Sequence, residues 1–175
     1  MTTGDLAQAL QRAQSALRRR PEMGLHDDAP ATARWQHGTR TVASHANGMQ
    51  MTTDMPGELG GSGDQVTPGW LFRAGLASCA ATSIAMAAAA QQIELTSLEV
   101  RATSRSDARG LLGMADERGD PVRAAPTDVR LHVRISAKDV APARLRALVE
   151  DGYRCSPIPG AVVSALPIDV RIDID

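Results

Sequence analysis

The stretch RAGLASCAATSIAMAAAAQQI, which runs from Arg73 to Ile93 and carries Cys79, decides the fold. Its residues are small and apolar on every side, so other backbones can approach it very closely. We predict a helix from Trp70 to about Ile93 that is buried on nearly every side and packs against another long helix. Its high alanine content and the polar residues at its ends favour a buried helix over a membrane span.

The composition limits the partners of the protein. The chain has 175 residues, enough for one domain, and a net charge of -1. With 2% aromatic residues, it lacks both the basic surface and the stacking platforms of nucleic-acid-binding proteins. There is no basic-then-apolar signal at the start, and two cysteines suit a reducing compartment. We therefore expect a cytoplasmic protein with no nucleic-acid or membrane partner.

The first 30 residues predict a helix and a linker. GDLAQALQRAQSALRRR is amphipathic and ends before Pro21, and its apolar stripe consists of Leu6, Leu10, Ala13 and Leu17. The basic triplet at its end compensates the helix dipole, and a nucleic-acid contact is the alternative interpretation. We assign residues 1–30 to a helical extension with its linker, and residues 31–175 to a single domain.

The residues between the linker and the central helix predict a small sheet and a loop. TARWQHGTRTVASHANGMQMTTD, residues 32–54, alternates and has turns at His37-Gly38 and Asn47-Gly48, which predict two or three antiparallel strands. MPGELGGSGDQVTPG, residues 55–69, is a loop, and Thr67 or a neighbour caps the helix that follows. Such a loop before a buried helix often covers a pocket.

The second half of the chain predicts two strands, two helices and a last strand. LTSLEVRATSRS and DVRLHVRIS alternate, and their inward residues are Leu98, Val100, Ala102, Val129, Leu131, Val133 and Ile135. APARLRALVEDGYRC and SPIPGAVVSAL predict helices, and IDVRIDID predicts a strand with Ile168, Val170, Ile172 and Ile174 on one face. Strands that are apolar on one face indicate an antiparallel or mixed sheet covered by helices, an α+β fold.

Cys79 and Cys155 are the candidate reactive residues. On spacing alone, two small buried residues are an equally good interpretation, because free cysteine is among the most buried residue types. There is no C-x-x-C pair and the four histidines are scattered, so neither a thioredoxin-type motif nor a metal site is predicted. A Cys-His hydrolase is a third interpretation, supported only by the presence of both residue types. Cys155 precedes a predicted helix, whose N-terminus stabilises a thiolate.

Three segments together resemble the OsmC/Ohr family of thiol-dependent peroxidases and their relatives. ELGGSGDQVTPGWLFRAGLASCAATSIAMAAA is similar to the family's glycine-rich loop, proline and cysteine-bearing helix. YRCSPIPGAVVSALPIDVRIDI resembles its C-terminal end, and TARWQHGTRTV its first strands. The resemblance covers residues 31–175 and implies an OsmC-like α+β fold. In that fold, antiparallel or mixed sheets wrap around long central helices in an intertwined homodimer.

The resemblance also implies a thiol peroxidase. Cys79 matches the peroxidatic cysteine, which becomes a sulfenic acid, and Cys155 matches the resolving cysteine, which then forms a disulfide that a dithiol reduces. Arg40 matches the arginine that keeps the thiolate ionised, with Arg34 as the reserve. The substrate would be a hydroperoxide, and an organic one suits apolar walls from Leu71, Phe72, Leu76, Met86 and Ile158. No cofactor or metal is implied.

One departure from the family pattern concerns the residue after the helix proline. The family peroxidases carry a glutamate there, which pairs with the arginine, whereas Gly69 follows Pro68 in this chain. Glu58 and Asp64 in the loop are the candidate substitutes. Without the glutamate, we expect Arg40 to be more loosely held and peroxide turnover to be slow. The alternative function is therefore a non-catalytic or differently employed family member that binds a small molecule or serves as a scaffold.

Overall fold

The computed structural model describes residues 2–174, and the chain forms two compact units. One unit is Gln11–Ala74, and the other combines the residues up to Leu10 with those from Gly75 onward. Helices and antiparallel strands occur in both, so the predicted α+β class is confirmed. The division into residues 1–30 and 31–175, the wrapping of the sheets and the homodimer stay predictions.

The N-terminal helix α1 spans Thr3–Arg19 and begins with a reciprocal cap. The backbone N–H of Asp5 donates to Thr2 Oγ1 at 3.2 Å, and the Thr2 N–H donates to Asp5 Oδ2 at 2.9 Å. The hydrogen bonds from Thr2, the backbone one foremost, hold the pKa of Asp5 below its usual range. Of the apolar stripe, Ala13 and Leu17 are exposed, so this chain covers only the first part of it.

The unit Gln11–Ala74 contains a three-stranded antiparallel sheet. Its strands are β1, Thr32–His37, β2, Arg40–Ser44, and β3, Gln50–Thr53, in the order β1-β2-β3. The predicted strands and turns are confirmed, and Gly38 and Gly48 adopt positive φ angles of 53° and 89° in the turns. The loop that follows contains a short 3₁₀ turn, Gly57–Leu59.

The long helix α2 spans Pro68–Ala90, close to the predicted bounds. Thr67 caps it as predicted, since its Oγ1 accepts a hydrogen bond from the Trp70 N–H at 3.1 Å. The expectation of burial on nearly every side is wrong for the single chain. This chain buries mainly one stripe of the helix, at four-residue spacing, formed by Leu76, Ala80, Ile84 and Ala88.

By length and composition alone, α2 could cross a membrane, and no other helix within residues 2–174 could. The core helix of a water-soluble protein passes the same test.

The second unit has a two-stranded antiparallel sheet made of β4, Leu95–Arg105, and β5, Thr127–Ala137. The predicted inward residues are half-buried, except Val129, which is 37% exposed near the start of its strand. The outward prediction is confirmed, since Arg130, His132 and Arg134 are exposed. The connection between the two strands contains a short helix α3, Ala108–Leu111, capped by Asp107.

Two helices complete this unit: α4, Pro142–Arg154, and α5, Pro157–Val163, both at the predicted places. Leu148 of α4 is fully buried with Ala88 and Ile93. Leu95, Ile135 and Leu145 are among the partly buried residues that pack against this cluster. The core of the unit therefore lies where α2 and α4 meet the two strands.

The predicted last strand is wrong for the single chain. Residues 167–174 form neither a helix nor a strand, and Ile168 and Ile174 are 87% and 91% exposed. A strand forms only where its backbone groups find a neighbouring strand, and none within residues 2–174 pairs with this segment. The alternating apolar pattern is real, but its apolar face is uncovered.

Candidate active site

Cys79 is a half-buried free thiol near the middle of α2. The backbone N–H of Ile158 donates to its Sγ at 3.4 Å. Ile158 is the second residue of α5, where amide groups lack a partner inside the helix, and Ser156 gives α5 no side-chain cap. The sulfur therefore accepts a hydrogen bond from an N–H group near the start of α5, and such a contact suits a negatively charged sulfur.

Cys155 is an exposed free thiol that directly follows α4, and Ser156 separates it from α5. Its carbonyl oxygen accepts a hydrogen bond from Ser83 Oγ at 3.4 Å. Ser83 lies four residues, about one helical turn, after Cys79 on α2. The structure thus brings both predicted cysteines to one junction, where α2 meets the link between α4 and α5.

Ser156 is a residue of this junction that the sequence analysis missed. It is buried, with 3% exposure, and it directly precedes Pro157 at the start of α5. Its hydroxyl lies 3.5 Å from the carbonyl oxygen of Gly152. The inward position before the proline is therefore occupied by serine, while the neighbouring cysteine is exposed.

Glycine makes the close approach at this junction possible. A Cβ on Gly152 of α4 would lie 2.6 Å from the Cα of Ile84 on α2. A Cβ on Gly75 would lie 3.7 Å from Ile158 Cδ1, an ordinary contact. The crossing of α2 and α4 near the cysteines therefore requires Gly152, whereas Gly75 could carry a methyl group without a clash.

An apolar cavity of about 370 Å³ opens among α2, β5, α4 and α5. Its lining includes Leu76 and Ala80, which lie near Cys79 in the sequence, and Pro159. Its polar groups come from Glu150 and Tyr153. Of the five apolar wall residues predicted from the sequence, only Leu76 lines this cavity; Met86 and Ile158 are exposed.

Arg40 begins β2 in the unit Gln11–Ala74, and carboxylates of the same unit hold it. Its Nε and Nη2 both donate to Asp54 Oδ2 at 3.2 Å. Nη2 also donates to Asp64 Oδ1 and, at 2.6 Å, to Ser62 Oγ. The expectation of a loosely held Arg40 is therefore wrong.

Asp54 is the residue of this cluster that the sequence analysis missed. The side-chain hydrogen bond from Thr39 and then that from Ser62 hold the pKa of Asp54 well below its usual range. The hydrogen bond from Ser62 also lowers the pKa of Asp64. Of the two predicted substitutes for the glutamate, Asp64 bonds Arg40, whereas Glu58 is exposed and makes none of these contacts. Asp54 follows a strand and precedes a Met-Pro loop, a weak sequence signal.

Arg34, the reserve candidate, is an exposed residue of β1 opposite Val42 of β2. Gly69 stands at the second position of α2 and has room for a side chain, since a Cβ there would lie 3.7 Å from Arg73 Nη1. Among residues 2–174, no group of three or more metal-ligating side chains is placed to hold a metal ion.

The family model described as OsmC-like protein matches residues 61–171, more than half of the chain. The solved structure of an OsmC-like protein from Mycoplasma pneumoniae is 18% identical in sequence and has a TM-score of 0.65. The match covers 85% of this chain and 98% of the Mycoplasma chain. An organic hydroperoxide resistance protein of Elizabethkingia anophelis is 22% identical, covers 79% of this chain and 89% of its own, and has a TM-score of 0.59. No curated protein gave a significant match.

A third solved structure is an organic hydroperoxide resistance protein OsmC from Legionella pneumophila. It is 23% identical, covers 78% of this chain and 91% of its own, and has a TM-score of 0.53. At such identities the likeness concerns the fold.

Proposed function

Because the chain belongs to the OsmC-like protein family, we propose that it is a thiol-dependent peroxidase that reduces organic hydroperoxides through Cys79. The observation that carries the proposal is the junction at which Cys79 and the Cys155 backbone both contact neighbouring helices. The hydroperoxide resistance proteins of Elizabethkingia anophelis and Legionella pneumophila, which share the fold, support the class of substrate.

The chemistry starts with attack of the Cys79 thiolate on one peroxide oxygen. The O–O bond breaks, the sulfur keeps a hydroxyl group as a sulfenic acid, and the other oxygen takes a proton and leaves as the alcohol. The Ile158 N–H at the sulfur supports this step. Arg40, by the family resemblance, supplies the positive charge that favours the thiolate.

Resolution is assigned to Cys155. Its thiol attacks the Cys79 sulfenic acid, a sulfur–sulfur bond forms, and the hydroxyl leaves as water. An external dithiol then reduces the disulfide, returning both thiols and becoming a disulfide itself. The exposure of Cys155 supports access of such a reductant.

An organic rather than an inorganic peroxide is supported by the cavity beside the helix that carries Cys79. Its walls are mainly apolar side chains. Two of the wall residues, Leu76 and Ala80, stand three residues before and one residue after Cys79 in the sequence. Apolar walls favour a hydrocarbon substituent because its transfer out of water is favourable.

We also propose a homodimer in the cytoplasm. The uncovered residues of α2, among them Met86, and the exposed apolar face of residues 167–174 support a second copy as the cover. Two free thiols suit a reducing compartment.

The second candidate is a non-catalytic family member that binds a small apolar molecule in the cavity. Gly69, where the family peroxidases carry glutamate, favours it. Anaerobic thiol titration before and after one equivalent of an alkyl hydroperoxide separates the two functions. A peroxidase loses two thiols per chain, whereas a binding protein keeps both.

A further inference from the structure

We propose that Asp54 is the positioning residue of Arg40: it orients the guanidinium in place of the glutamate that the family peroxidases carry on the helix. Any effect of the Arg40 orientation on Cys79 rests on the proposed function. The contacts by which Asp54 holds Arg40 lie entirely within the unit Gln11–Ala74.

Asp54 makes the more constrained of the two carboxylate contacts to Arg40. Its side chain is 4% exposed and takes hydrogen bonds from two nitrogens of the guanidinium, Nε and Nη2. Asp64 is 55% exposed and takes one, from Nη2. Two bonds from one guanidinium fix its plane as well as its position, and burial protects them from competing water. The orientation of Arg40 therefore depends on Asp54 more than on Asp64.

Asp54 is itself fixed by groups from three places. Thr39 Oγ1, next to Arg40 in sequence, donates to Oδ1 at 2.6 Å, and the Met55 N–H donates to the same oxygen at 2.8 Å. Ser62 donates to Oδ2 from Oγ at 2.7 Å and from its N–H at 3.2 Å. The carboxylate thus joins the start of β2, the end of β3 and the glycine-rich loop.

Gly61 allows the loop to close over this carboxylate. A Cβ there would lie 1.8 Å from the carbonyl oxygen of Met55 and 2.8 Å from Asp54 Oδ1. Only glycine therefore fits, and it places Ser62 against Asp54. The carboxylate comes from a strand end and its loop, so Arg40 is held without any side chain at Gly69.

Asp54→Asn tests the inference, because it removes the charge and keeps the size. Asp64→Asn removes the weaker partner, and Glu58→Gln is the matched control in the same loop. The first readout is solvent exchange of the Arg40 Nε proton, measured by NMR. The second is the rate of Cys79 alkylation at fixed pH, and the third is kcat and KM for an alkyl hydroperoxide.

We expect Asp54→Asn to accelerate exchange of the Arg40 Nε proton at least about tenfold, because the hydrogen bonds from Nε and Nη2 to residue 54 weaken. On the proposed function, alkylation of Cys79 at fixed pH should slow, and kcat should fall with KM little changed. Asp54→Glu, which keeps the charge, should recover part of the loss. Glu58→Gln should match the parent, and Asp64→Asn should keep the Arg40 proton protected.

Equal exchange rates in Asp54→Asn and the parent, or equal losses in Asp54→Asn and Asp64→Asn, would overturn the inference. If Asp54→Asn does not fold, Thr39→Val and Ser62→Ala each remove part of the support of the carboxylate. Both should then raise the exchange rate severalfold, and unchanged exchange in both would overturn the inference as well. The parent protein could also consume no peroxide while exchange of the Arg40 Nε proton still depends on Asp54. That result would contradict the proposed function and would still support the role of Asp54 in holding Arg40.

Discussion

The Ile158 N–H points its hydrogen bond at Cys79 Sγ, 3.4 Å away, and so links the central helix to the start of α5. These residues lie 79 positions apart in the sequence. The contact places a hydrogen-bond donor at Cys79, the candidate nucleophile. The donor residue, Ile158, lies three residues after Cys155 in the sequence. Loss of the crossing between α2 and α4 should therefore affect both stability and thiol chemistry.

Gly152→Ala tests that crossing. The new Cβ would lie 2.6 Å from the Ile84 Cα, so the helices must move apart. We expect a loss of about 1–3 kcal/mol in the free energy of unfolding, measured by urea denaturation. Gly160→Ala in α5 is the control, since no atom lies within 4 Å of its added Cβ, and a gain of about 0.5–1 kcal/mol is expected. Equal effects of the two substitutions would contradict the close crossing.

Acid should weaken the hold on Arg40. The pKa values of Asp54 and Asp64 are lowered in the folded protein, chiefly by side-chain hydrogen bonds from Thr39 and Ser62. Their stabilisation is therefore present above the ordinary aspartate pKa of about 3.9, and it is lost as the pH falls through the folded values below that.

Urea denaturation of the parent and of Asp54→Asn measures this dependence. The difference in their free energies of unfolding should be constant between about pH 5 and pH 7, and it should shrink below about pH 4. An identical difference at pH 3 and pH 7 would show that the Asp54 charge does not contribute.

The proposed homodimer predicts a particle of twice 18.5 kDa in sedimentation at micromolar concentration. Met86→Glu puts a charge on the uncovered face of α2 and should yield monomers, because an unpaired charge is costly to bury. His132→Glu, on the exposed face of β5, is the control and should stay dimeric. A monomeric parent, or a dimeric Met86→Glu, would contradict a second copy on this face.

The sequence predicted the longer helices and the strands of both sheets because their apolar periodicity reflects burial within a short stretch. Leu98, Val100 and Ala102 illustrate this, since alternation alone assigned them to one face of β4. The prediction of a last strand was wrong for a physical reason. The alternation of residues 168–174 indicates which side chains a strand would bury, but it does not supply a neighbouring strand.

Asp54 was missed because its role depends on distant residues. Thr39 and Ser62 lie 15 and 8 positions away, and only the folded loop brings them to the carboxylate. Cys79 and Cys155 were found because they are the two cysteines of the chain and their surrounding sequences resemble those of the family. Ser156 was missed because the sequence does not show which of two neighbouring small residues is buried.

Thiol titration under anaerobic conditions tests the central claim most directly. The parent and the variants Cys79→Ser and Cys155→Ser are each treated with one equivalent of an alkyl hydroperoxide. We predict that the parent loses two thiols per chain and forms a disulfide, that Cys155→Ser yields a trappable sulfenic acid on Cys79, and that Cys79→Ser leaves the peroxide unconsumed. Peroxide consumption by Cys79→Ser at the parent rate, or a parent that keeps both thiols, would contradict the account.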